Sequence, residues 1–270
     1  MTASGFVETN GGRLYFETGG VGPGLVLVHA GVANLRMWDP HVPTWSTRFT
    51  VLRYDTRGFG RTESEHVAFS NRADLVAVMD EVGLERACLV GVSRGGQIVL
   101  DTALEHPDRV SGLVVAAGGV SGFTPSSDLG TPEMWDEAEK HWVAHDFEWL
   151  ADFETRYWVD GPNQPTDRVD RALRALVRGW ILENYRAEKE AGMPQPLDPP
   201  AAGRFGEVTW PTLVVIGSLD DPGTNDACRF LADGLAGSRL EVFDGAAHML
   251  SLEQSERFTE LVGEFAAVLS

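Results

Sequence analysis

Cysteine is scarce in this chain: Cys88 and Cys228 are the only two among 270 residues. Two thiols build no disulfide framework, and Cys88 stands in an apolar run, so a reducing cytoplasm is the expected location. Basic charge is scarce as well. Lys and Arg number 22 against 40 Asp and Glu, a formal net charge of −18. Nucleic acid and anionic membrane surfaces repel such a chain, which excludes both as expected partners. The acidic residues are scattered rather than gathered in a tail and read as a solvated surface. No hydrophobic run approaches the length of a membrane span. The stretch Met1-Thr2-Ala3-Ser4-Gly5 lacks a basic region and an apolar core, so no signal peptide is expected. The 7 histidines show neither His-x-x-x-His nor a His/Cys cluster of metal-ligand spacing, and neither a metal nor a cofactor is expected. Internal repeats and low-complexity tracts are lacking too.

What is present suits one large α/β domain carrying an insertion. The hydrophobic fraction, 43%, is enough for a sizeable core. Residues 6–9 and 13–18 flank Asn10-Gly11-Gly12 and read as a hairpin. Leu25–Val28, Phe49–Tyr54, Ala87–Val92 and Val110–Ala116 read as buried strands. Between them, Asn71–Val82 has helical spacing, with Leu75, Val78, Met79 and Val82 on one face and Ser70 as its cap. Gln97–Glu105 reads as a second helix that stops near Pro107. Strands alternating with helices imply a mostly parallel sheet flanked by helices, with ligands at the carboxyl ends of the strands.

The alternation breaks after Gly118. From about Gly122 to Gly206 the pattern is helical, with Trp135, Trp142, Trp149 and Trp158 in one stretch and an apolar face over Asp167–Ala187. The sheet pattern resumes at Thr212–Ile216, followed by a helix over 224–235, a strand at 240–243 and a closing helix over 254–269. The expected organisation is therefore a core of residues 1–121 and 207–270 with a helical lid of residues 122–206. Most of the tryptophans are expected to pack lid on core. Trp135, Trp142 and Trp158 are the candidates for lining a substrate pocket.

The chain is organised around Gly91-Val92-Ser93-Arg94-Gly95, between the apolar run Ala87–Val92 and the helix-like run from Gln97. Gly-x-Ser-x-Gly in a strand–turn–helix setting is the nucleophile-elbow pattern. It places Ser93 on a sharp turn and a helix N-terminus beside it, whose free N–H groups suit a developing oxyanion. A serine hydroxyl needs a base, and the base needs an orienting carboxylate. His248 is the expected base, in the small-residue loop Asp244-Gly245-Ala246-Ala247-His248-Met249 after a strand. Asp220 and Asp221 compete for the carboxylate after Ile216; Asp220 is preferred, with Asp221 capping the turn at Pro222. The order Ser, Asp, His is the one expected for such an elbow. Two oxyanion donors are expected, the Arg94 N–H and the Gly31 N–H, with Val32 as the fallback to Gly31. His29 reads as a loop-shaping residue. The Arg94 side chain is expected to form a salt bridge with a nearby acid, the other reading being a contact to a substrate carboxylate.

These segments resemble the α/β-hydrolase fold family across nearly the whole chain. The matching features are His29-Ala30-Gly31, Tyr54-Asp55-Thr56-Arg57-Gly58-Phe59-Gly60, the Ser93 elbow, Gly217-Ser218-Leu219-Asp220 and Gly245-Ala246-Ala247-His248. The chain looks most like small bacterial esterases and 3-oxoadipate enol-lactonase-like members. It departs from their pattern at Ala30, where glycine is common, and at Arg94, where Met, Gln or Leu is common. The resemblance implies that Asp55 and Arg57 brace the active-site loops. It implies hydrolysis of a small-molecule ester or lactone through an acyl-enzyme. Carbon–carbon bond hydrolases and cofactor-free perhydrolases share the triad, and a non-catalytic small-molecule receptor is the reading from a different class. A homodimer is left open.

Overall fold

A computed structural model describes residues 3–126 and 131–269. Eight strands carry the main sheet: β1 (Ala3–Thr9), β2 (Gly12–Gly19), β3 (Gly24–Val28), β4 (Thr50–Tyr54), β5 (Ala87–Val92), β6 (Val110–Ala116), β7 (Thr212–Gly217) and β8 (Arg239–Phe243). Their spatial order is β1-β2-β4-β3-β5-β6-β7-β8, and a two-residue strand, Glu63–Ser64, joins the side of β2. β1 and β2 form the hairpin, with Thr9 opposite Gly12 and Gly11 at a φ of 61° in the turn. β2 meets β4 antiparallel, and from β4 to β8 every pairing is parallel. The sheet is thus mostly parallel, as the alternation of strands and helices requires.

The central strands are apolar on both faces because both faces are covered. Leu25 and Leu27 point into one core with Trp38, Trp45 and Phe258, while Val26 and Val28 point into the other with Leu75, Ile98 and Val99. The period of two along β3 divides its side chains between the cores. Chain order reverses around β3: β4 lies on one side of it and β5 on the other. A crevice opens at the carboxyl ends of strands where such a reversal occurs. His29 follows β3 and Ser93 follows β5, so both stand at that crevice.

Helix α1 (Asn71–Glu81) starts where expected, with the Ser70 hydroxyl accepting from the Ala73 N–H at 3.2 Å. Helix α2 spans Arg94–Glu105 and begins three residues before Gln97. Gly95 and Gly96 are poor helix formers and conceal that start in the sequence. Between β6 and β7 lie α3 (Pro132–Val143), α4 (Phe147–Glu154) and α5 (Arg171–Ala187). α3 and α4 are separated at His145, whose φ of 54° ends the helical path, and Asp146 caps α4. α4 runs on as a π-helical turn, Thr155–Asp160. α5 begins at Arg171 because Asp170 accepts from the Ala172 and Leu173 N–H groups at 2.9 and 3.1 Å. The lid sequence shows no strand pattern, yet Met193–Pro194 pairs with Ala68–Phe69. Two residues are too few for a periodic signal. Helices α6 (Pro222–Gly234) and α7 (Ser255–Ala267) complete the core. Among the described residues, no helix is long and apolar enough to cross a membrane.

Candidate active site

Ser93 joins β5 to α2 with φ 56° and ψ −122°, a conformation that L-residues avoid. Its N–H donates to the Ala116 carbonyl at 2.9 Å, and its own carbonyl accepts from Gln97 at 3.2 Å. The flanking glycines make the turn feasible. A Cβ at Gly91 would lie 2.2 Å from the Gly95 carbonyl oxygen, and one at Gly95 would lie 2.2 Å from that of Val28.

His248 comes to Ser93 from the loop after β8. Its Nε2 is 2.7 Å from Ser93 Oγ, and its Nδ1 is 3.0 Å from both carboxylate oxygens of Asp220. An ionised carboxylate only accepts, so Nδ1 carries the proton and Nε2 is free to accept from the serine hydroxyl. Both Asp220 and His248 are buried. Asp221 is occupied elsewhere: it caps α6 through Thr224 N–H at 2.8 Å and accepts from the Tyr157 hydroxyl at 2.5 Å. Geometry therefore brings together Ser93, His248 and Asp220, and leaves Asp221 to the turn.

Gly31 and Val32 are the central residues of a turn closed by Ala33 N–H donating to the Ala30 carbonyl at 3.1 Å. That bond leaves the Gly31 and Val32 N–H groups outside it. A Cβ at Gly31 would meet nothing nearer than Arg94 Cδ at 3.7 Å, so the fold does not itself demand glycine there. The turn is held from behind by His29. His29 Nδ1 donates to the Ala30 carbonyl at 2.8 Å, and Nε2 accepts from the Thr56 N–H at 3.0 Å. Complete burial pushes its ring down to about 3, offset in part by the Ala30 bond and helped by the charge of Arg94. His29 is thus a neutral brace, as its place beside the loop suggested.

The Arg94 side chain overturns the expectation of a salt bridge. Among the described residues no carboxylate oxygen lies within ion-pairing distance of its guanidinium. It donates instead to Thr56 Oγ1 at 2.6 Å and, more weakly, to Asn71 Oδ1 at 3.4 Å, and lies 5.2 Å from the Phe59 ring centre. Asp74 is taken by Arg57 in a two-pronged bond of 2.7 and 2.9 Å. Asp55 accepts from the Leu35 and Arg61 N–H groups, both at 2.8 Å, and so ties the loops after β3 and β4 together.

Of the three candidate tryptophans, Trp158 lies against His248, ring centres 4.4 Å apart, where the π-helical turn brings it. Trp142 lines a cavity of about 430 Å³ with Gly31, Val32, Phe59, Ile181 and Tyr185. Trp135 is not on that wall. It packs edge-on against Phe153 and Tyr157, ring centres 5.4 Å away in each case, because α3 turns that face toward α4.

Several residues at the site gave no sequence signal. Arg168 is one: it donates to the Val159, Asp160 and Gly245 carbonyls at 2.7 Å each and to Glu253 at 2.5 Å. It joins the π-helical turn carrying Trp158 to the loop carrying His248. Glu154 and Tyr185 on the cavity wall are others. Burial holds the Glu154 carboxyl above the usual carboxylate range, with the Tyr185 hydrogen bond acting the other way. Among the described residues, no group of three or more His, Cys, Asp or Glu side chains is placed to hold a metal ion.

Comparison with known proteins agrees with this architecture. A profile of the alpha/beta hydrolase fold matches residues 23–154. Over 260 residues the chain is 30% identical to the 2-hydroxy-6-oxononadienedioate/2-hydroxy-6-oxononatrienedioate hydrolase of Klebsiella pneumoniae subsp. pneumoniae, covering 92% of this chain and 85% of that protein. Over 250 residues it is 23% identical to 3-oxoadipate enol-lactonase 1 of Acinetobacter baylyi, covering 90% and 88%. The crystal structure of the enol-lactonase from Burkholderia xenovorans superimposes with a TM-score of 0.77 at 27% identity, over 96% of this chain and 98% of that one. The chain belongs to the α/β-hydrolase family. It is a hydrolase, as those relatives are.

Proposed function

We propose that this hydrolase cleaves a carboxylic ester or lactone of a small molecule through an acyl-enzyme, using no cofactor. The observation that carries the reading is the continuous hydrogen-bond chain from Ser93 Oγ through His248 to Asp220, at 2.7 and 3.0 Å. Ser93 Oγ attacks the carbonyl carbon while His248 Nε2 takes the hydroxyl proton. Asp220 keeps Nδ1 protonated and stabilises the imidazolium. The oxyanion is received by the N–H groups of Arg94, at the start of α2, and of Gly31, with Val32 as the neighbouring donor. His248 returns its proton to the departing alkoxide, the carbon–oxygen bond breaks, and Ser93 remains acylated. Water then attacks the acyl carbon with His248 as base, releasing the acid and restoring the serine. In a lactone the alcohol stays tethered to the acyl group until that second step.

Hydrolysis of short and medium p-nitrophenyl esters by the wild type and by Ser93→Ala tests this. Turnover lost in the variant, together with labelling of the wild-type serine by a fluorophosphonate, is expected. Turnover unchanged in the variant would sink the reading. Failure of the wild type to turn over or to label would favour a receptor on a hydrolase fold. A second reading, carbon–carbon cleavage of a dienol-keto acid by the same three residues, draws support from the 30% identity to the Klebsiella pneumoniae hydrolase. Decay of such an acid's absorbance in the presence of the enzyme, faster than that of any ester, would favour it.

A further inference from the structure

The cavity beneath the lid has a polar wall whose hydrogen-bonding groups are unbalanced. Glu154 at the end of α4 and Tyr185 near the end of α5 both line it. The Tyr185 hydroxyl donates to Glu154 Oε1 at 2.6 Å, which uses its only donor. The phenolic oxygen and the second Glu154 oxygen are left to accept. Asn184 gives one N–H to the Ala33 carbonyl at 3.3 Å and keeps its own carbonyl oxygen and one N–H. Glu188 adds a second carboxylate, with one oxygen 3.0 Å from His145 Nδ1. The one ammonium on the wall, Lys189, is turned to the backbone. It donates to the carbonyls of Gly60 and Thr62, the latter at 3.1 Å, leaving a single N–H. Among the described residues no arginine lines the cavity. Among the side chains of this wall, acceptors therefore outnumber free donors, the backbone N–H groups of Gly31 and Val32 lying at the cavity's Ser93 side, and two of the groups bearing those acceptors are carboxyls.

Resting on the hydrolase reading above, we propose that the portion of the substrate held here carries hydrogen-bond donors, a hydroxyl, an N–H or an ammonium, received by Glu154 as oriented by Tyr185. A buried acceptor is costly to leave unpaired, so a ligand that supplies the missing donor binds better than its plain analogue. A carboxylate in the same place meets two carboxyl groups and a nearly saturated ammonium, and finds few donors to replace its water. The cavity, at about 430 Å³, has room for such a substituted chain. Glu154 and Tyr185 then select the substrate, while Ser93 and His248 transform it.

Binding to the Ser93→Ala variant tests this separately from turnover. The probes, measured by calorimetry, are methyl hexanoate, methyl 6-hydroxyhexanoate, methyl 6-aminohexanoate and monomethyl adipate. The same hydroxyl, amino and carboxylate substituents are also placed on the alcohol side, in hexyl acetates, so that either end of the ester can enter the cavity. In at least one series the hydroxyl and amino compounds are expected to bind about tenfold or more tightly than the plain ester, with the carboxylate compound weakest. Adding Glu154→Gln, checked for folding by circular dichroism, is expected to remove most of the amino preference, and Glu154→Asp to restore part of it. Equal binding throughout, tightest binding of the carboxylate compound, or an amino preference that survives Glu154→Gln overturns the proposal. Failure of wild-type Ser93 to label with a fluorophosphonate is a separate outcome: it strikes the hydrolase reading, while the order of affinities still decides the chemistry of the wall.

Discussion

The Arg94 guanidinium donates to the Thr56 hydroxyl at 2.6 Å, and that hydroxyl lies 3.1 Å from His29 Nε2, beside the Thr56 N–H that donates to the same nitrogen at 3.0 Å. The residue that follows Ser93 therefore supports, through two intermediaries, the turn that carries Gly31. Thr56→Val keeps the shape and removes the hydroxyl, leaving a partly buried cation short of a partner. A stability loss of about 1–3 kcal/mol in urea unfolding is expected. On a p-nitrophenyl ester, kcat is expected to fall several-fold with KM little changed, because the defect reaches the donors rather than the binding wall. An unchanged kcat in a destabilised variant would reduce this network to a purely structural one.

Arg168 links Glu253 and the Gly245 carbonyl to the π-helical turn that carries Trp158. Arg168→Met leaves the buried Glu253 carboxylate without its ion. Breaking one side of such a pair costs about 3–5 kcal/mol when fully buried, and somewhat less here, where Arg168 keeps 13% side-chain exposure. A double-mutant cycle with Glu253→Gln is expected to show coupling above about 1 kcal/mol. Additive losses would mean that the two side chains act independently.

The elbow and the neighbouring turn respond differently to an added methyl group. Gly91→Ala drives a Cβ to 2.2 Å from a backbone oxygen and is expected to yield little folded protein. Gly31→Ala finds 3.7 Å of clearance and is expected to keep its melting temperature within a few degrees while losing activity. Ser93→Gly, by contrast, relieves the backbone at φ 56° and is expected to gain about 1 kcal/mol of stability as turnover disappears. Chemical denaturation of the three variants beside the wild type measures all of this, and a less stable Ser93→Gly would refute the claim of strain.

Two buried histidines make the fold acid-sensitive. Desolvation lowers His29 to about 3 and His41 to about 4, against an ordinary value of 6.5. The unfolded chain binds the extra protons, so the stability these rings allow is complete above 6.5 and is lost as pH falls toward the folded values. Asp55, Asp101 and Glu253, raised by desolvation, act in the opposite direction, so the wild-type slope alone is not diagnostic. The difference between the wild type and His41→Leu isolates one ring. Between pH 7.5 and pH 5 the wild type is expected to lose about 2 kcal/mol more than the variant. Equal losses would show that His41 is protonated in the fold.

Much of the site was legible because the chemistry of the elbow restricts its residues. Ser93 needs glycines around it and a strand before it, and those leave a pattern in a short stretch of chain. His248 was legible from its loop of small residues after a strand. The choice between Asp220 and Asp221 was not closed by sequence, since both follow the same strand. The fold closes it: Asp221 caps α6, and His248 faces Asp220. The start of α2 was hidden by the glycines that the elbow itself requires.

The sequence by itself determined the alternation of strands and helices, the central apolar strands, the elbow and the chain order of Ser93, Asp220 and His248. Each is written in local composition and periodicity. Only the tertiary structure decided which groups meet across the chain. It gave Asp74 to Arg57 and Thr56 to Arg94, set Trp158 over His248, and turned Glu154 and Tyr185 toward one cavity. The physical reason is that a charged or aromatic side chain in a helix obeys the same local pattern whether it faces water or a pocket. Its partner, tens of residues away, is chosen by packing.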